Sequence, residues 1–362
     1  MPKTAPIRRL ALAIAVGLMA LPGAASAAVP SDFIGMTAED VFAGDASYRA
    51  TTLSTQRTLG IGTIRQSFDW ARIERAPGQF ELATYDSYVT ALASQGVSVL
   101  PILFNTPRFH LGQTAGRAAC PPASLDSFAR FAQVLVARYG PNGSLWAERP
   151  WLRRLPIRAW QIWNEPNLNI YWCGRASARQ YVRMLRTVGR AIKQVDPGAE
   201  IVTAGIPPSK MSSAVRIERF IAQMYRARGR TAFDTLAINS YAKDKRELAT
   251  LLRTIRRIMN RRRDRKASIW ITELGWGDAG PAHRFIVGAD GQAIRIRSSF
   301  STIKRLRRKL RLRGVVYYTW RDAPPYPPEF KDMWGLHTGL LYANHQPKPA
   351  FWAFRDAAAS LR

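Results

Sequence analysis

The amino-acid sequence predicts an α/β fold, a single-domain (β/α)8 TIM barrel. Eight short apolar segments have the character of buried strands, and stretches with helical spacing of apolar residues lie between them. No early strand is followed by the glycine-rich phosphate turn that the doubly wound alternative needs. The 362 residues are 47% hydrophobic, which suits a large core. The predicted strands are Asp32–Met36, Thr63–Phe68, Val97–Phe104, Arg158–Trp163, Glu200–Ala204, Thr235–Ser240, Ser268–Thr272 and Gly314–Trp320.

Helix boundaries are predicted from capping and stop residues. The helix Ser124–Tyr139 starts with a serine, and Ala178–Val195 runs into Asp-Pro-Gly, which ends a helix. Periodicity predicts two further helices, Glu247–Arg263 and Arg297–Arg313, and a last helix from about Pro349. Strands and helices therefore alternate along the chain, as the barrel requires.

The N-terminus predicts a signal peptide over residues 1–27. Basic residues precede an apolar run, Leu10–Leu21, and Ala25-Ser26-Ala27 provides a small-x-small cleavage site. The run is too short to span a bilayer as a helix. We therefore expect an exported protein with one domain, residues 28–362, and no stable membrane span.

The cysteines and histidines indicate a disulfide and no metal. Cys120 and Cys173 are the only cysteines, and an even count in an exported chain suggests that they pair. They follow the third and fourth predicted strands, whose loops are neighbours at the same rim. Two free thiols are the alternative. The four histidines are scattered without ligand spacing, so no metal and no cofactor are expected.

The chain is strongly basic, with a net charge of +29, and 44 of its 54 basic residues are arginine. Such a field attracts anionic surfaces and polymers, but no segment resembles a nucleic-acid-binding module, so nucleic acid is not an expected partner. Two predicted outer helices carry dense cations, which form either a solvated face or a contact with an anionic cell envelope or exopolysaccharide. These cations are Arg253, Arg256, Arg257, Arg261, Arg262, Arg263, Arg265 and Lys266, and Lys304, Arg305, Arg307, Arg308, Lys309, Arg311 and Arg313.

Two glutamates stand where predicted strands end. Glu165 follows the fourth strand within W-Q-I-W-N-E-P-N, and Glu273 follows the seventh within I-W-I-T-E-L-G-W. Chemistry in this fold occurs at the C-terminal ends of the strands, and these two strands face each other across the mouth. A pair of carboxyl groups there suits glycoside cleavage, which needs a proton donor and a second carboxylate at the anomeric carbon.

Their surroundings differ in the sequence as well. Glu165 lies among Trp160, Trp163 and Pro166, so we expect desolvation to favour its neutral form. Arg65, on the second strand, and the hydroxyl of Tyr241, after the sixth strand, are the candidates to keep Glu273 ionised. Trp276, after the seventh strand, is a candidate sugar contact.

The motifs W-N-E-P-N and I-T-E-L-G-W resemble those of clan A of the glycoside hydrolases. The resemblance covers most of the chain after residue 27 and is greatest to family 39 and related cellulase-like exported bacterial glycosidases. It extends to Arg65–Trp70, Tyr139–Ser144, Gly339–Leu341 and Lys348–Phe351.

The resemblance implies roles for individual residues. Glu165 would be the general acid/base and Glu273 the nucleophile of a retaining mechanism. Asn164 would hydrogen-bond the sugar 2-hydroxyl, and Trp320 would form an aromatic platform under the reacting sugar. The clan often has His-x-Tyr after the sixth strand, but this chain has Asn239 in place of the His, which leaves the preferred sugar open.

Together these observations predict an exported, monomeric, retaining O-glycoside hydrolase that acts on a poly- or oligosaccharide. A non-catalytic carbohydrate-binding or envelope-associated barrel is the alternative, against which the presence of both glutamates argues. A transglycosylase would use the same residues. The sequence does not define the sugar, the linkage, or endo or exo action. The predicted substrate-binding residues are Arg65, Asn164, Asn239, Tyr241, Trp276 and Trp320.

Overall fold

The computed structural model describes Met1 and residues 29–112, 119–323 and 331–362. The predicted signal peptide lies outside these residues apart from Met1. Within the described ranges, no helix has both the length and the hydropathy needed to cross a membrane.

Eight parallel strands close into a barrel in which each strand pairs with its sequence neighbours and β1 pairs with β8. This confirms the predicted (β/α)8 fold, and every predicted strand is present within two residues of its expected bounds. The strands are β1 (Ile34–Thr37), β2 (Thr63–Asp69), β3 (Ser98–Phe104), β4 (Ala159–Ile162), β5 (Glu200–Thr203), β6 (Thr235–Asn239), β7 (Ser268–Glu273) and β8 (Leu312–Tyr318).

Within the described residues, eight helices of ten or more residues surround the barrel. Short helices and a two-stranded hairpin, Glu74–Ala76 with Gln79–Phe80, lie in the connections. The long helices are α1 (Ala46–Thr58), α2 (Ala83–Ser94), α3 (Leu125–Tyr139), α4 (Ala178–Val195), α5 (Ile217–Arg226), α6 (Lys245–Arg261), α7 (Gly288–Leu310) and α8 (Pro349–Leu361). The shorter ones are Glu39–Ala43, Trp70–Ile73, Ser144–Glu148, Arg108–His110, Asn169–Tyr171, Gly229–Thr231 and Trp334–His337.

The helix α7 differs from its predicted bounds because tertiary contacts extend its first turns. It begins at Gly288, nine residues before the predicted start, although glycines in this stretch disfavour helix. Gln292 is fully buried there, and its Nε2 lies 2.9 Å from the Trp276 carbonyl oxygen and 3.1 Å from that of Thr338. These contacts fix the start of α7 beneath the loops after β7 and β8.

Two apolar clusters hold the barrel together. The larger one lies between the strands and the helices. The smaller one draws one residue from each of five neighbouring strands: Leu100, Ala159, Val202, Ala237 and Trp270. Gln161 on β4 contacts Arg65 on β2, two strands away, so the Gln161 side chain points into the barrel. Ala159 lies two residues before Gln161 on the same strand, so its side chain points into the barrel as well. Apolar side chains therefore fill the barrel below the polar residues at its mouth.

The disulfide between Cys120 and Cys173 is present, as predicted. It joins the loops after β3 and β4, and the two Cα atoms are 5.0 Å apart. The bond closes 53 residues of chain, for which loop-closure entropy gives roughly 4 kcal/mol of stabilisation. It fixes the loop that carries Glu165 to the neighbouring wall of the barrel mouth.

Candidate active site

The chain turns sharply between β4 and Glu165. Trp163 and Glu165 both have a positive φ, 73° and 43°, which is uncommon for residues other than glycine. The Glu165 backbone N–H donates to the Gly205 carbonyl oxygen at 3.2 Å, so the turn is tied to the segment after β5. This turn directs the Glu165 carboxyl group into the mouth of the barrel.

Trp163 anchors this turn from below. Its side chain is fully buried and packs edge to face on Phe104, with ring centroids 4.9 Å apart. Its indole N–H donates to the Tyr171 carbonyl oxygen at 2.8 Å. One tryptophan therefore holds both ends of the short segment on which Glu165 lies.

Glu273, the last residue of β7, receives a hydrogen bond on each carboxyl oxygen. Arg65 Nη1 lies 2.7 Å from Oε1, and the Tyr241 hydroxyl donates to Oε2. Arg65 is 2% exposed and Glu273 is 8% exposed, so the ion pair is shielded from water. Both oxygens of Glu273 therefore have a donor, and one of the two donors is a cation. The predicted partners of Glu273 are therefore both in contact with it.

Arg65 connects three strands across the barrel. Its Nε donates to Gln161 Oε1 at 2.7 Å, and its Nη2 donates to Asn164 Oδ1 at 3.0 Å. Gln161 is in turn held by the Thr203 carbonyl oxygen at 3.0 Å. The contact with Arg65 fixes the orientation of the Asn164 amide. Within the described residues the Asn164 Nδ2 has no acceptor, so it is a donor left for a ligand.

Glu165 has a different environment. Asn239 Nδ2 donates to its Oε1 at 2.7 Å, and its second oxygen accepts no hydrogen bond from the residues that the structure describes. Burial and, after it, the negative charge of Glu273 raise the pKa of Glu165 to about 8; the Asn239 hydrogen bond and the charge of Arg65 act in the opposite direction. At neutral pH the Glu165 carboxyl group is therefore mainly protonated.

The Asn239 amide is itself held in one orientation. Its Oδ1 accepts from the Thr272 hydroxyl at 2.9 Å, which leaves Nδ2 for Glu165. Gly205 makes room for this amide, since a Cβ at that position would lie 2.0 Å from Asn239 Oδ1. Sequence analysis did not identify Thr272 or Gly205. Both follow from the position of Asn239 only once the strand neighbours are known.

The structure does not place Trp276 and Trp320 on the surface of the cleft. Trp276 is fully buried, and its indole N–H donates to the Ala242 carbonyl oxygen at 2.8 Å. Trp320 is 2% exposed and packs against Phe351, with ring centroids 6.0 Å apart. Both rings are therefore buried in this structure, Trp276 beside the Ala242 carbonyl group and Trp320 against Phe351.

Two tyrosines lie near enough to the carboxyl groups for their phenols to be affected by the charge there. Tyr318, the last residue of β8, and Tyr171 are both partly exposed. Burial raises the pKa of each phenol first, and the negative charge of Glu273 raises the pKa of both further. Their hydroxyls make no hydrogen bond with other described residues. Sequence analysis missed both, although Tyr318 ends a strand just as Glu273 does.

In the part of the chain that the structure describes, no group of three or more His, Cys, Asp and Glu side chains is arranged to hold a metal ion. The carboxyl groups, amides, guanidinium and phenols at the mouth are the polar groups that a ligand would meet. They can donate and accept hydrogen bonds over a short range, and one carboxyl group can deliver a proton.

No protein-family model matches the chain, and no curated protein matches it. Solved structures do. A family 39 glycoside hydrolase from Bacteroides cellulosilyticus superposes with a TM-score of 0.67 at 19% identity, over 92% of this chain and 64% of that one. A family 39 β-xylosidase from Caulobacter crescentus has the same score and identity, over 93% and 73%. A family 5 enzyme from Streptomyces cattleya, solved with GlcNAc, has a TM-score of 0.67 at 14% identity, over 91% and 80%.

These similarities show the fold of the chain to be the (β/α)8 barrel found in clan A of the glycoside hydrolases. The resemblance inferred from W-N-E-P-N and I-T-E-L-G-W is therefore confirmed at the level of the fold. The chain spans 64% of the length of the Bacteroides enzyme.

Proposed function

We propose that the protein is a retaining glycoside hydrolase in which Glu165 is the general acid/base and Glu273 is the nucleophile. The observation that carries this proposal is the contrast between the two carboxyl groups. Glu273 is paired with the Arg65 guanidinium and accepts from the Tyr241 hydroxyl, whereas burial and the charge of Glu273 raise the pKa of Glu165 to about 8. Retaining glycosidases require this division.

In the first step, Glu273 attacks the anomeric carbon as the bond to the leaving oxygen breaks. Glu165 gives its proton to that oxygen, so the aglycone departs as a neutral alcohol. The product on the protein is a glycosyl ester of Glu273. The other Glu273 oxygen keeps its hydrogen-bond partner during the attack, which preserves the orientation of the carboxyl group.

Formation of the ester also prepares the second step. The charge of Glu273 raises the pKa of Glu165, and this charge is lost when the ester forms. The pKa of Glu165 therefore falls in the intermediate, and its carboxylate becomes able to take a proton from water. That water attacks the anomeric carbon, releases the sugar and restores the Glu273 carboxylate.

The polar residues around the pair position the sugar in this proposal. The free Asn164 Nδ2 is the donor for a sugar hydroxyl, as the resemblance to clan A implies. Asn239 orients Glu165, while Arg65 and Tyr241 orient Glu273. Tyr318 takes the place at the cleft that the sequence assigns to Trp320.

We further propose that residues 1–27 are removed during export and that residues 28–362 form the catalytic domain of a monomer. The disulfide supports an oxidising location. Similar structures include a β-xylosidase and an exo-β-1,4-mannosidase, so the fold accommodates more than one sugar. The substrate is therefore proposed only as a carbohydrate, and the cation-rich faces of α6 and α7 remain candidate contacts with an anionic envelope.

The test uses a panel of 2-deoxy-2-fluoro glycosides with activated leaving groups. These compounds trap the glycosyl ester, which intact mass detects and peptide mapping locates. We expect one adduct, on Glu273, that Glu273→Gln does not form. An adduct on another residue, or full hydrolytic activity of Glu273→Gln, would contradict the proposal. Product analysis with an added sugar acceptor separates a hydrolase from a transglycosylase.

A further inference from the structure

The exposed face of α4 carries a single row of cations. They recur at intervals of four and three residues, which places them on one stripe of the helix, and α4 contains no acidic residue. The row is about 21 Å long at 1.5 Å per residue. Its members are Arg179, Arg183, Arg186, Arg190 and Lys193, and Arg175 precedes them by one helical turn.

The first half of this row forms one wall of a groove of about 1030 Å³ between α4 and the end of α5. Six arginines line this groove, and its described lining includes no acidic, lysine or aromatic residue. A concave surface with low-dielectric walls concentrates the field of its charges. The arginines are Arg175, Arg179, Arg183, Arg186, Arg226 and Arg228. We call this surface the arginine groove.

Most of these charges have no partner among the residues that the structure describes. The side chains of Arg175, Arg179 and Arg183 make no hydrogen bond or ion pair within the described residues. Arg186 donates to the Arg228 carbonyl oxygen at 2.6 Å, which ties α4 to α5 without neutralising it. Farther along the row, Lys193 is paired with Asp234. The unneutralised charge is therefore concentrated in the arginine groove.

The arginine groove is continuous with a second groove that lies beside the disulfide. Arg175, Gln180 and Arg183 line both. The second groove, of about 990 Å³, extends past the disulfide to Asn169, two residues before Tyr171. The loop that bears Glu165 at its start therefore ends at the arginine groove. A chain that leaves the cleft over this rim would enter it.

We propose that the arginine groove binds an acidic polysaccharide, a chain with carboxylate-bearing uronic acid residues that extends from the cleft. A guanidinium group matches a carboxylate with two parallel hydrogen bonds. Gln180 and Gln223, also in the lining, can bind sugar hydroxyls. The absence of aromatic side chains from the described lining disfavours single-stranded nucleic acid, whose bases stack on such residues. This inference rests on the proposed function, because it takes the ligand to be a glycan.

The outer face of α6 provides a matched control. Arg253 and Arg257 are exposed there, one turn apart as Arg179 and Arg183 are, and they line neither groove. Reversal of either pair changes the net charge by the same amount. A difference between the two double variants therefore reports the position of the charge and not its total.

The experiment measures binding of fluorescein-labelled oligogalacturonate to the full chain by anisotropy, at several salt concentrations. We expect salt-sensitive binding that weakens at least about tenfold in Arg179→Glu/Arg183→Glu and less than about threefold in Arg253→Glu/Arg257→Glu. Arg179→Gln/Arg183→Gln is expected to lie between wild type and the groove reversal. Labelled neutral dextran of the same length is expected not to bind.

Several outcomes would overturn the inference: equal weakening by the two reversals, absence of oligogalacturonate binding, or tighter binding of oligothymidylate or anionic vesicles at the same salt. Turnover of a small neutral aryl glycoside is followed in parallel. The groove reversal is expected to leave it unchanged, because neither arginine contacts the carboxyl pair. If the proposed function is wrong and the arginine groove still binds polyanions, the wild-type protein will not turn over the aryl glycoside but will still bind oligogalacturonate.

Discussion

The two carboxyl groups at the mouth of the barrel differ in how many donors they receive. Glu273 accepts one hydrogen bond on each oxygen, from Arg65 and Tyr241, whereas Glu165 accepts one on a single oxygen, from Asn239. The second oxygen of Glu165 is left to a ligand. The same chemical group thus has different neighbours at the end of β7 and after β4, and the proposed mechanism assigns the two carboxyl groups different roles on this basis.

Removal of the Glu273 carboxyl group is expected to cause the greatest loss of activity. Glu273→Gln deletes the nucleophile and leaves Arg65 facing a neutral amide, so we expect kcat to fall by about 10⁴-fold or more. Hydrolysis of an aryl glycoside from the panel measures the loss. Activity within about tenfold of wild type would mean that the two carboxyl groups do not have different roles.

The effect of Glu165→Gln is expected to depend on the leaving group of the substrate. General acid catalysis contributes about 10²–10⁴-fold, and only poor leaving groups need the proton. We expect a loss of that size for an alkyl glycoside and a much smaller loss in the first step for a dinitrophenyl glycoside. Pre-steady-state kinetics with both substrates separates the two steps. Equal first-step losses for both substrates would contradict the role of proton donor.

The pH dependence of kcat/KM follows from the raised pKa of Glu165. The acid must be protonated in the free enzyme, so activity is present below about pH 8 and falls as pH rises through that value. The Asn239 hydrogen bond lowers this pKa, so Asn239→Leu is expected to move the alkaline limb to higher pH. A limb that stays in place in Asn239→Leu would show that another group controls it.

The free energy of unfolding provides a test of the Glu165 environment that needs no substrate. Because the pKa of Glu165 is higher in the folded than in the unfolded chain, its protonation stabilises the fold at low pH, and this stabilisation is lost as pH rises through about 8. Glu165→Gln removes the penalty of ionising the group. We expect its free energy of unfolding to exceed that of wild type by about 1 kcal/mol or more at pH 8. Denaturant unfolding at pH 5 and pH 8 measures the difference, which is expected to be smaller at pH 5.

Substitutions of the aromatic residues Tyr318 and Trp320 are expected to have smaller effects, and the two effects should differ in kind. Tyr318→Ala is expected to raise KM by about tenfold through loss of a contact at the cleft, with little change in stability. Trp320→Phe is expected to lower the melting temperature and leave KM nearly unchanged, because its ring is buried against Phe351. The opposite result, a raised KM in Trp320→Phe alone, would support the prediction from the sequence that Trp320 is the aromatic platform.

The sequence predicts the barrel well because each strand is a short apolar run bounded by turn residues, and each periodic helix has a clear start or stop. It also predicts which residues meet at the mouth, since parallel strands bring their C-terminal ends together. Arg65, Asn164, Glu165, Asn239, Tyr241 and Glu273 all meet there.

The sequence predicts the site less well where the direction of a side chain after the end of a strand decides whether that side chain reaches the cleft. Trp276 and Trp320 are the residue type that commonly contacts sugars, but both side chains are buried in the structure. Tyr318 and Gly205 matter because of their positions relative to other strands. No pattern in the nearby sequence predicts those positions. The early start of α7 depends in the same way on the buried contacts of Gln292.

The most direct measurement is the titration of Glu165 by ¹³C NMR of glutamate-labelled protein, with Glu165→Gln used to assign the carboxyl signal. The account predicts a pKa of about 8 in wild type and a value several tenths or more lower in Glu273→Gln, in which the neighbouring charge is removed. An ordinary pKa of Glu165 in wild type, or the same raised pKa in both proteins, would contradict the claim that burial and the charge of Glu273 together raise the pKa of Glu165.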